Sequence, residues 1–193
     1  LNIAPKKILL LDSNEFALYS ILSELDSLNK KDNVRIISLL SSIQDKKNIK
    51  TILKPWKPDT IYHAAAYKHV PIVEHNLAEG VKNNVFGTLI IAQSSLEFGV
   101  SDFVLISTDK AVRPTNVMGA TKRLSEICLQ SLFANKKENQ FTKFSMVRFG
   151  NVLDSSGSVI PKFRDQINAR LPLTLTHPDL SLIHISEPTR LSR

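Results

Sequence analysis

Four segments of the chain combine acidic, basic, hydroxyl and amide side chains at or just after apolar runs that are typical of β-strands. They cover residues 63–71, 83–88, 107–123 and 148–159. Side chains of these types can hold a polar ligand through hydrogen bonds and can move protons. Asp109 and Lys110 place an acid next to an amine, although such a pair taken alone is more typical of an exposed turn. The four segments together predict a ligand-binding site.

The elements that must position these segments are alternating strands and helices. Apolar runs predict strands at residues 7–12, 34–40, 60–63, 103–107 and 144–149, and helical spacing of apolar residues predicts helices at 16–28, 46–53, 78–98 and 117–133. Alternating strands and helices pair the strands in parallel with right-handed crossovers. The predicted fold class is therefore α/β, with a Rossmann-like, doubly wound parallel sheet. Ligands bind such a sheet at the carboxyl ends of its strands.

A glycine-rich phosphate loop is the expected part of such a sheet that this sequence lacks. A dinucleotide-binding sheet opens with a strand, a glycine-rich turn and a helix N-terminus that holds the pyrophosphate. The glycines are too dispersed to form that turn: Gly80, Gly87, Gly99, Gly119, Gly150 and Gly157. Asp12 ends the first strand, and an acid there is typical of the second strand of the motif. We therefore expect a truncated fold that begins after the loop and binds neither NAD nor substrate with useful affinity by itself.

In order and spacing, the four segments resemble the UDP-N-acetylglucosamine 4,6-dehydratases of polysaccharide biosynthesis, within the extended short-chain dehydrogenases. The resemblance covers residues 6–179. It implies a partial NAD(P)-binding domain with the start of a substrate-binding region at 1–179. NAD is the expected cofactor and NADP the alternative, because the charge of Asp12 would repel a 2′-phosphate. Residues 180–193 depart from the family, and we expect a poorly packed, non-native tail there.

The resemblance assigns the catalytic roles to the third segment. Asp109 would protonate the hydroxyl that leaves carbon 6, and Lys110 would take the proton of carbon 5. Thr108 would hydrogen-bond the oxygen on carbon 4, and Lys122 would hold the nicotinamide ribose. Met118 stands one helical turn before Lys122, where most of the superfamily has a tyrosine. A thioether cannot remove a proton, so a water molecule or Thr108 would have to replace the phenolate.

Binding roles fall mainly on the other segments. The resemblance places the cofactor against residues that follow the strands or lie on the helices: Asp12, Ser42, Ala64, Ala65, Asn84 and Lys122. It places the sugar nucleotide against Lys68 and Asn151. Plainer alternatives remain, with Asp12 as an ordinary strand-end acid, Asn84 as a bridge between backbone groups and His63 as a structural histidine.

Two other functions stay open. A nucleotide-sugar epimerase or reductase of the same superfamily would share most of these residues, but simple 4-epimerisation needs no elimination pair such as Asp109 and Lys110. A non-catalytic module that binds sugar nucleotides would suit Met118 and the missing glycine-rich loop.

Composition restricts the partners and the setting. The net charge is +7, but the lysines are scattered and form no basic stripe with aromatic residues, so we expect no nucleic-acid partner. Cys128 is the single cysteine, which excludes an intramolecular disulfide and suits the cytoplasm. No apolar run can span a membrane. The Met-x-x-x-Lys spacing resembles the membrane-anchored branch of this family. The resemblance implies a UDP-sugar substrate and a homo-oligomer. We expect membrane contact only through a region that precedes this chain, at the cytoplasmic face of the inner membrane.

Overall fold

A computed structural model describes residues 5–29, 34–150, 152 and 159–174. The strands in chain order are β1 (Lys7–Asp12), β2 (Arg35–Leu40), β3 (Thr60–His63), β4 (Asp102–Thr108) and β5 (Lys143–Phe149). The α-helices are α1 (Glu15–Leu28), α2 (Lys46–Trp56), α3 (Val70–His75), α4 (Leu77–Val81), α5 (Thr88–Phe98), α6 (Val117–Ala134) and α7 (Val159–Asn168). The predicted strands are all present, while the sequence patterns did not predict α3 or α7.

The strands pair in parallel, as their alternation with helices predicts, and the pairing is divided between two sheets. β1 pairs with β2, and β4 lies between β3 and β5 in a three-stranded sheet. Among the described residues, no hydrogen-bonded ladder joins β1 to β3. The parallel α/β class is confirmed, with two flanking parts in place of one continuous sheet.

The main core covers one face of the three-stranded sheet. Alternate residues of β4, Phe103, Leu105 and Ser107, are buried, as expected for a strand whose successive side chains point to opposite faces. The apolar members pack against α2, α5, α6 and the loop before α2, in a cluster formed by Ile43, Ile49, Leu53, Ile91, Ala92, Phe103, Leu105 and Leu129. Each large side chain buried here stabilises the fold by about 1.5–3 kcal/mol. This packing fixes the carboxyl end of β4, where the candidate acid and base follow.

The helix predicted over residues 78–98 is interrupted by a π-helical turn, Lys82–Gly87. Two hydroxyl groups lie within hydrogen-bond distance of the Asn84 carbonyl oxygen inside this turn: Thr88 Oγ1 at 2.6 Å and Ser125 Oγ at 2.7 Å. The Ser125 proton is shared with the Thr121 carbonyl, at 2.8 Å. At Gly87 a side chain would collide with Ile43, so the turn lies directly against the core. Segment 83–88 is therefore a helical turn, and its placement after a strand end was wrong.

Side-chain caps begin α1, α2 and α6 in the part of the chain that the structure describes. Asn14 accepts a hydrogen bond from the Ala17 backbone N–H, and Asp45 accepts one from Asn48 in the same way. Each cap satisfies a backbone donor that the first helical turn leaves unpaired. Asn116 does so for α6, which carries Met118 and Lys122. Within the described residues, none of the helices combines the length and the hydropathy needed to cross a bilayer.

Candidate active site at the carboxyl end of the three-stranded sheet

Thr108, Asp109 and Lys110 form one hydrogen-bonded group where β4 ends. The Thr108 hydroxyl donates to Asp109 Oδ1 at 3.0 Å and accepts from the Lys110 backbone N–H at 3.3 Å. Lys110 Nζ lies 3.2 Å from the same Asp109 oxygen. About a third of each charged side chain, 35% and 36%, remains exposed. An acid, an amine and a hydroxyl are thus held together on a short 3₁₀ turn, Asp109–Ala111, that a ligand can still reach.

The start of α6 lies directly against this group. A Cβ atom on Gly119 would overlap the backbone carbonyl of Lys110, so only glycine permits the approach. Asn116 accepts the Gly119 N–H at 2.8 Å, and Glu74 of α3 accepts the Val117 N–H at 2.6 Å. The contacts pin the first turn of α6 beside the acid–base pair.

Lys122 and Met118 are both buried on α6, with 5% and 4% of their surface exposed. Lys122 Nζ donates to the backbone carbonyl of Ile106 on β4 at 2.6 Å. Burial lowers the pKa of Lys122 to about 8, and the nearby Glu126 carboxylate opposes that shift. The structure therefore places a partly destabilised ammonium against the strand that carries Thr108. The roles of both residues towards a cofactor remain predictions.

Asn84 joins the loop after β3 to α6. Its fully buried side-chain amide accepts the Tyr67 N–H at 2.8 Å, donates to the Tyr67 carbonyl at 3.0 Å and donates to Thr121 Oγ1 at 3.0 Å. Both amide hydrogens are thereby used inside the protein. The plainer alternative, a bridge between backbone groups, describes these contacts, and direct cofactor contact by Asn84 stays a prediction.

His63 is a structural histidine in this arrangement. Its Nε2 lies 2.9 Å from Thr88 Oγ1, whose single proton is donated to the Asn84 carbonyl. With the Thr88 proton directed to that carbonyl, the matching tautomer has Nε2 protonated and donating to Thr88. Burial, followed by the positive charge of Lys122, lowers the pKa of His63 to about 3. The imidazole ring is therefore neutral, and its hydrogen bond to Thr88 holds the residue that directly follows the π-helical turn.

Asp12 ends β1, and Ser42 lies in the loop that follows β2, the neighbouring strand. Asp12 Oδ1 accepts the Asn14 N–H at 2.8 Å, and its backbone carbonyl accepts the Ser41 N–H at 2.9 Å. Ser42 Oγ accepts the Gln44 N–H at 3.2 Å, and Gln44 reaches Asn83 on the π-helical turn at 3.3 Å. This hydrogen bond links the predicted adenosine side to the predicted catalytic side.

For the remaining predicted residues, the structure gives the position in the fold and does not test the predicted role. Ala64 and Ala65 follow β3 directly, and Lys68 is exposed in the loop that Asn84 holds. Asn151 lies outside the described residues. Binding roles for all four stay predictions.

Glu126 is a residue of this site that the sequence patterns did not indicate. It is fully buried, and its carboxylate accepts hydrogen bonds from Ser107, Arg148 and Arg123. Burial by itself would raise the pKa of Glu126, but these hydrogen bonds outweigh burial and hold the pKa below its usual value. The available signal was its spacing, since it stands four residues after Lys122 on the same helix face.

Comparison with known sequences gives a consistent set of relatives. A family model described as "Polysaccharide biosynthesis protein" matches residues 1–191. The capsular polysaccharide biosynthesis protein CapD of Staphylococcus aureus is 47% identical over 97% of this chain and 31% of CapD. A UDP-N-acetylglucosamine 4,6-dehydratase (inverting) of Campylobacter jejuni is 33% identical over 91% of this chain and 51% of that protein. The chain thus spans 31% of the length of CapD and 51% of the length of the dehydratase.

Solved structures share the fold. The X-ray structure of Pen from Bacillus thuringiensis has a TM-score of 0.81 and 32% identity, covering 90% of this chain and 52% of Pen. The dTDP-glucose 4,6-dehydratase DesIV of Streptomyces venezuelae, solved with NAD and DAU bound, has a TM-score of 0.71, covering 87% of this chain and 55% of DesIV. At 20% identity, the DesIV likeness establishes the fold alone.

Proposed function

This chain belongs to the family of polysaccharide biosynthesis proteins, and from that premise we propose that the full-length protein carrying it is a nucleotide-sugar 4,6-dehydratase. The proposed substrate is UDP-N-acetylglucosamine and the product its 4-keto-6-deoxy derivative. The observation that carries the proposal is the group formed by Thr108, Asp109 and Lys110. Removal of water from neighbouring carbons needs a proton donor and a proton acceptor on one substrate, and this group offers both within a single turn.

The ion pair itself can supply the two protonation states. As found, Asp109 is the acceptor and Lys110 the donor, 3.2 Å apart. Transfer of one proton across that contact gives a carboxylic acid and a neutral amine. A bound substrate that covers the exposed third of each side chain would favour this neutral pair, because desolvation disfavours both charges. Lys110 would then take the carbon 5 proton while Asp109 protonates the departing carbon 6 hydroxyl.

Thr108 and Lys122 would position the reacting oxygen and the cofactor. Thr108 is the hydroxyl nearest the pair and can turn its proton from Asp109 towards the carbon 4 oxygen. Lys122 is held against β4 by Ile106 and would donate to the nicotinamide ribose from there. Met118 contributes a buried thioether, which fills space in the first turn of α6 and transfers no proton.

NAD is the cofactor that the described residues fit best. Asp12 presents an exposed carboxylate at the end of β1, beside the Ser42 loop, where ribose hydroxyls can donate to it. A 2′-phosphate at the same place would face like charge, which favours NAD over NADP. When bound, NAD would supply the oxidation of carbon 4 and the return of the hydride to carbon 6. Since Met118 transfers no proton, a water molecule beside Thr108 would take the proton of the carbon 4 hydroxyl.

Product analysis tests the proposal against both alternatives. Full-length protein would be incubated with NAD and UDP-N-acetylglucosamine, and the nucleotide sugars would be separated and weighed by mass spectrometry. A dehydratase yields a product lighter by one water, with a 4-keto group that borohydride reduces. An unchanged mass with a new retention time would establish an epimerase, and bound but unconverted substrate would establish a binding module. Either result overturns the proposal.

A further inference from the structure

We infer that Glu126 is a positioning residue for the proposed reaction, which fixes the ends of β4 and β5 relative to each other and to α6. The activity readout of this inference rests on the proposed function. The catalytic group begins one residue after Ser107, and Phe149, the last residue of β5, follows Arg148. Glu126 contacts both of those preceding residues.

The contacts of Glu126 converge from two strands and one helix. Oε1 accepts from Ser107 Oγ at 2.7 Å and from Arg148 Nε at 2.8 Å. Oε2 accepts from an Arg148 terminal nitrogen at 2.6 Å and from Arg123 at 2.9 Å. The Arg148 contact is bidentate, which fixes orientation as well as distance.

The pair that Glu126 holds is a register pair of the sheet. Ser107 of β4 lies opposite Arg148 of β5, and the next pair is Thr108 opposite Phe149. The Glu126 carboxylate is hydrogen-bonded to both Ser107 and Arg148, so it restrains the last strand pair before the catalytic group. Slippage or fraying of either strand end would break at least one of these charge-assisted hydrogen bonds.

The same helix face makes a second contact with β4. Lys122, one turn before Glu126, donates to the carbonyl of Ile106, and Glu126 accepts from Ser107. Two successive residues of β4 are therefore held by two successive turns of α6. Thr108 and Lys122, which must face one substrate and one cofactor, are positioned by the same pair of contacts.

Stability alone is a weak reason for such an arrangement. The desolvation of a buried ion pair offsets much of its attraction, and apolar side chains of similar volume often serve equally well. Orientation of strand ends is a task that apolar packing performs less well, since it lacks directional bonds.

Two matched variants of the full-length protein separate positioning from a purely structural role. Ser107→Ala removes the hydroxyl that joins β4 to Glu126. Arg123→Gln removes an ionic hydrogen bond to the same carboxylate. Arg123 lies on α6 itself, with its side chain 39% exposed, so this bond does not join the helix to a strand. We expect Ser107→Ala to lower kcat by about ten- to a hundredfold with KM nearly unchanged. We expect Arg123→Gln to stay within about twofold in kcat.

The inference is overturned if Ser107→Ala keeps kcat within about twofold of wild type, or if Arg123→Gln lowers kcat equally. Glu126→Gln, which conserves volume, replaces Ser107→Ala if the latter does not fold. If the wild-type protein converts no UDP-sugar, the proposed function fails, and amide NMR spectra of the 193-residue chain decide the inference instead. Arg148→Lys, on β5, should then shift the Asp109 and Lys110 signals of the turn that follows β4, while Arg123→Gln does not; equal shifts, or none, would refute it.

Discussion

The state of Lys122 shows how a single buried amine connects structure to chemistry. Its pKa of about 8 leaves the ammonium form dominant at neutral pH, although only 5% of the residue's surface is exposed to water. The hydrogen bond to the Ile106 carbonyl and the charge of the nearby Glu126 carboxylate offset part of the cost of burying this charge. A cation held in this way is available to a bound ribose and to a developing negative charge without first being desolvated. Met118, on the same helix, offers no such chemistry, and the two positions therefore predict opposite responses to substitution.

Replacement of Lys110 by alanine should abolish most dehydration in the full-length protein. Removal of a general base costs about 10²–10⁴-fold in rate, and Asp109 would lose the partner from which it receives its proton. NAD affinity, measured by calorimetric titration, should change little. Lys82→Ala is the matched control, because Lys82 makes only an exposed ion pair with Glu79 in the described contacts. Turnover of Lys110→Ala close to that of the control would exclude Lys110 as the base.

Replacement of Met118 by leucine should be mild. Leucine conserves volume and apolar character in this buried position, so the loss of stability should stay below about 1.5 kcal/mol. Since a thioether transfers no proton, kcat should fall by no more than about threefold. Steady-state kinetics and thermal melting measure both quantities. A loss of kcat comparable with that of Lys110→Ala would mean that Met118 takes part in the chemistry.

At the scale of elements, the segment from Asp109 to Gly119 is held too tightly to act as a flexible loop. Thr108 caps its first turn, Asn116 caps its last, and Glu74 anchors it to α3. Arg113 lies between them at φ 46°, directly before a proline, a conformation that a non-glycine residue adopts only when its surroundings impose it. Strain of this kind is typical of preorganised sites.

Substitution of Gly119 by alanine tests that tightness. The added methyl group would overlap the Lys110 carbonyl, which is backbone and cannot rotate away. We expect a loss of about 1–3 kcal/mol in the free energy of unfolding, in spite of the better helix propensity of alanine, together with a large fall in kcat.

Gly99→Ala is the matched control for Gly119→Ala. It forces alanine into φ 73° with open space around the new Cβ, so it should cost about 1 kcal/mol and leave kcat unchanged. Chemical denaturation and kinetics on both variants give the comparison. Equal effects of the two on kcat would show that the contact between Gly119 and Lys110 does not matter for the site.

For the molecule as a whole, local sequence patterns predicted the strands and the longer helices, but they did not predict the contacts between these elements. All five strands follow from apolar runs, and α6 (Val117–Ala134) matches the helix that apolar spacing predicts over residues 117–133. The π-helical turn was not predictable in this way, because it is stabilised by Ser125, 41 residues later in the chain. Glu126 was missed for the same reason, since its partners on β4 and β5 stand 19 and 22 residues away. Periodicity reports which face is apolar, and it does not report which buried carboxylate finds partners.

The buried His63 makes the stability of the 193-residue chain depend on pH in a defined direction. Its pKa is about 3 in the folded protein and about 6.5 in the unfolded chain. Between these values the unfolded chain binds a proton that the folded protein excludes, so acid favours unfolding. The contribution is fully present above pH 6.5 and is lost as the pH falls towards 3.

His63→Gln isolates this contribution, because glutamine keeps an N–H donor for Thr88 and cannot become charged. Urea unfolding at several pH values gives the free energy of unfolding of both proteins. From pH 6 to pH 4 the wild type should lose about 2–3 kcal/mol more than the variant. Carboxylates such as Glu126 are common to both and cancel in the difference. Parallel curves would mean that His63 is protonated in the folded protein without penalty, and that the histidine is more open to water than its 4% exposure indicates.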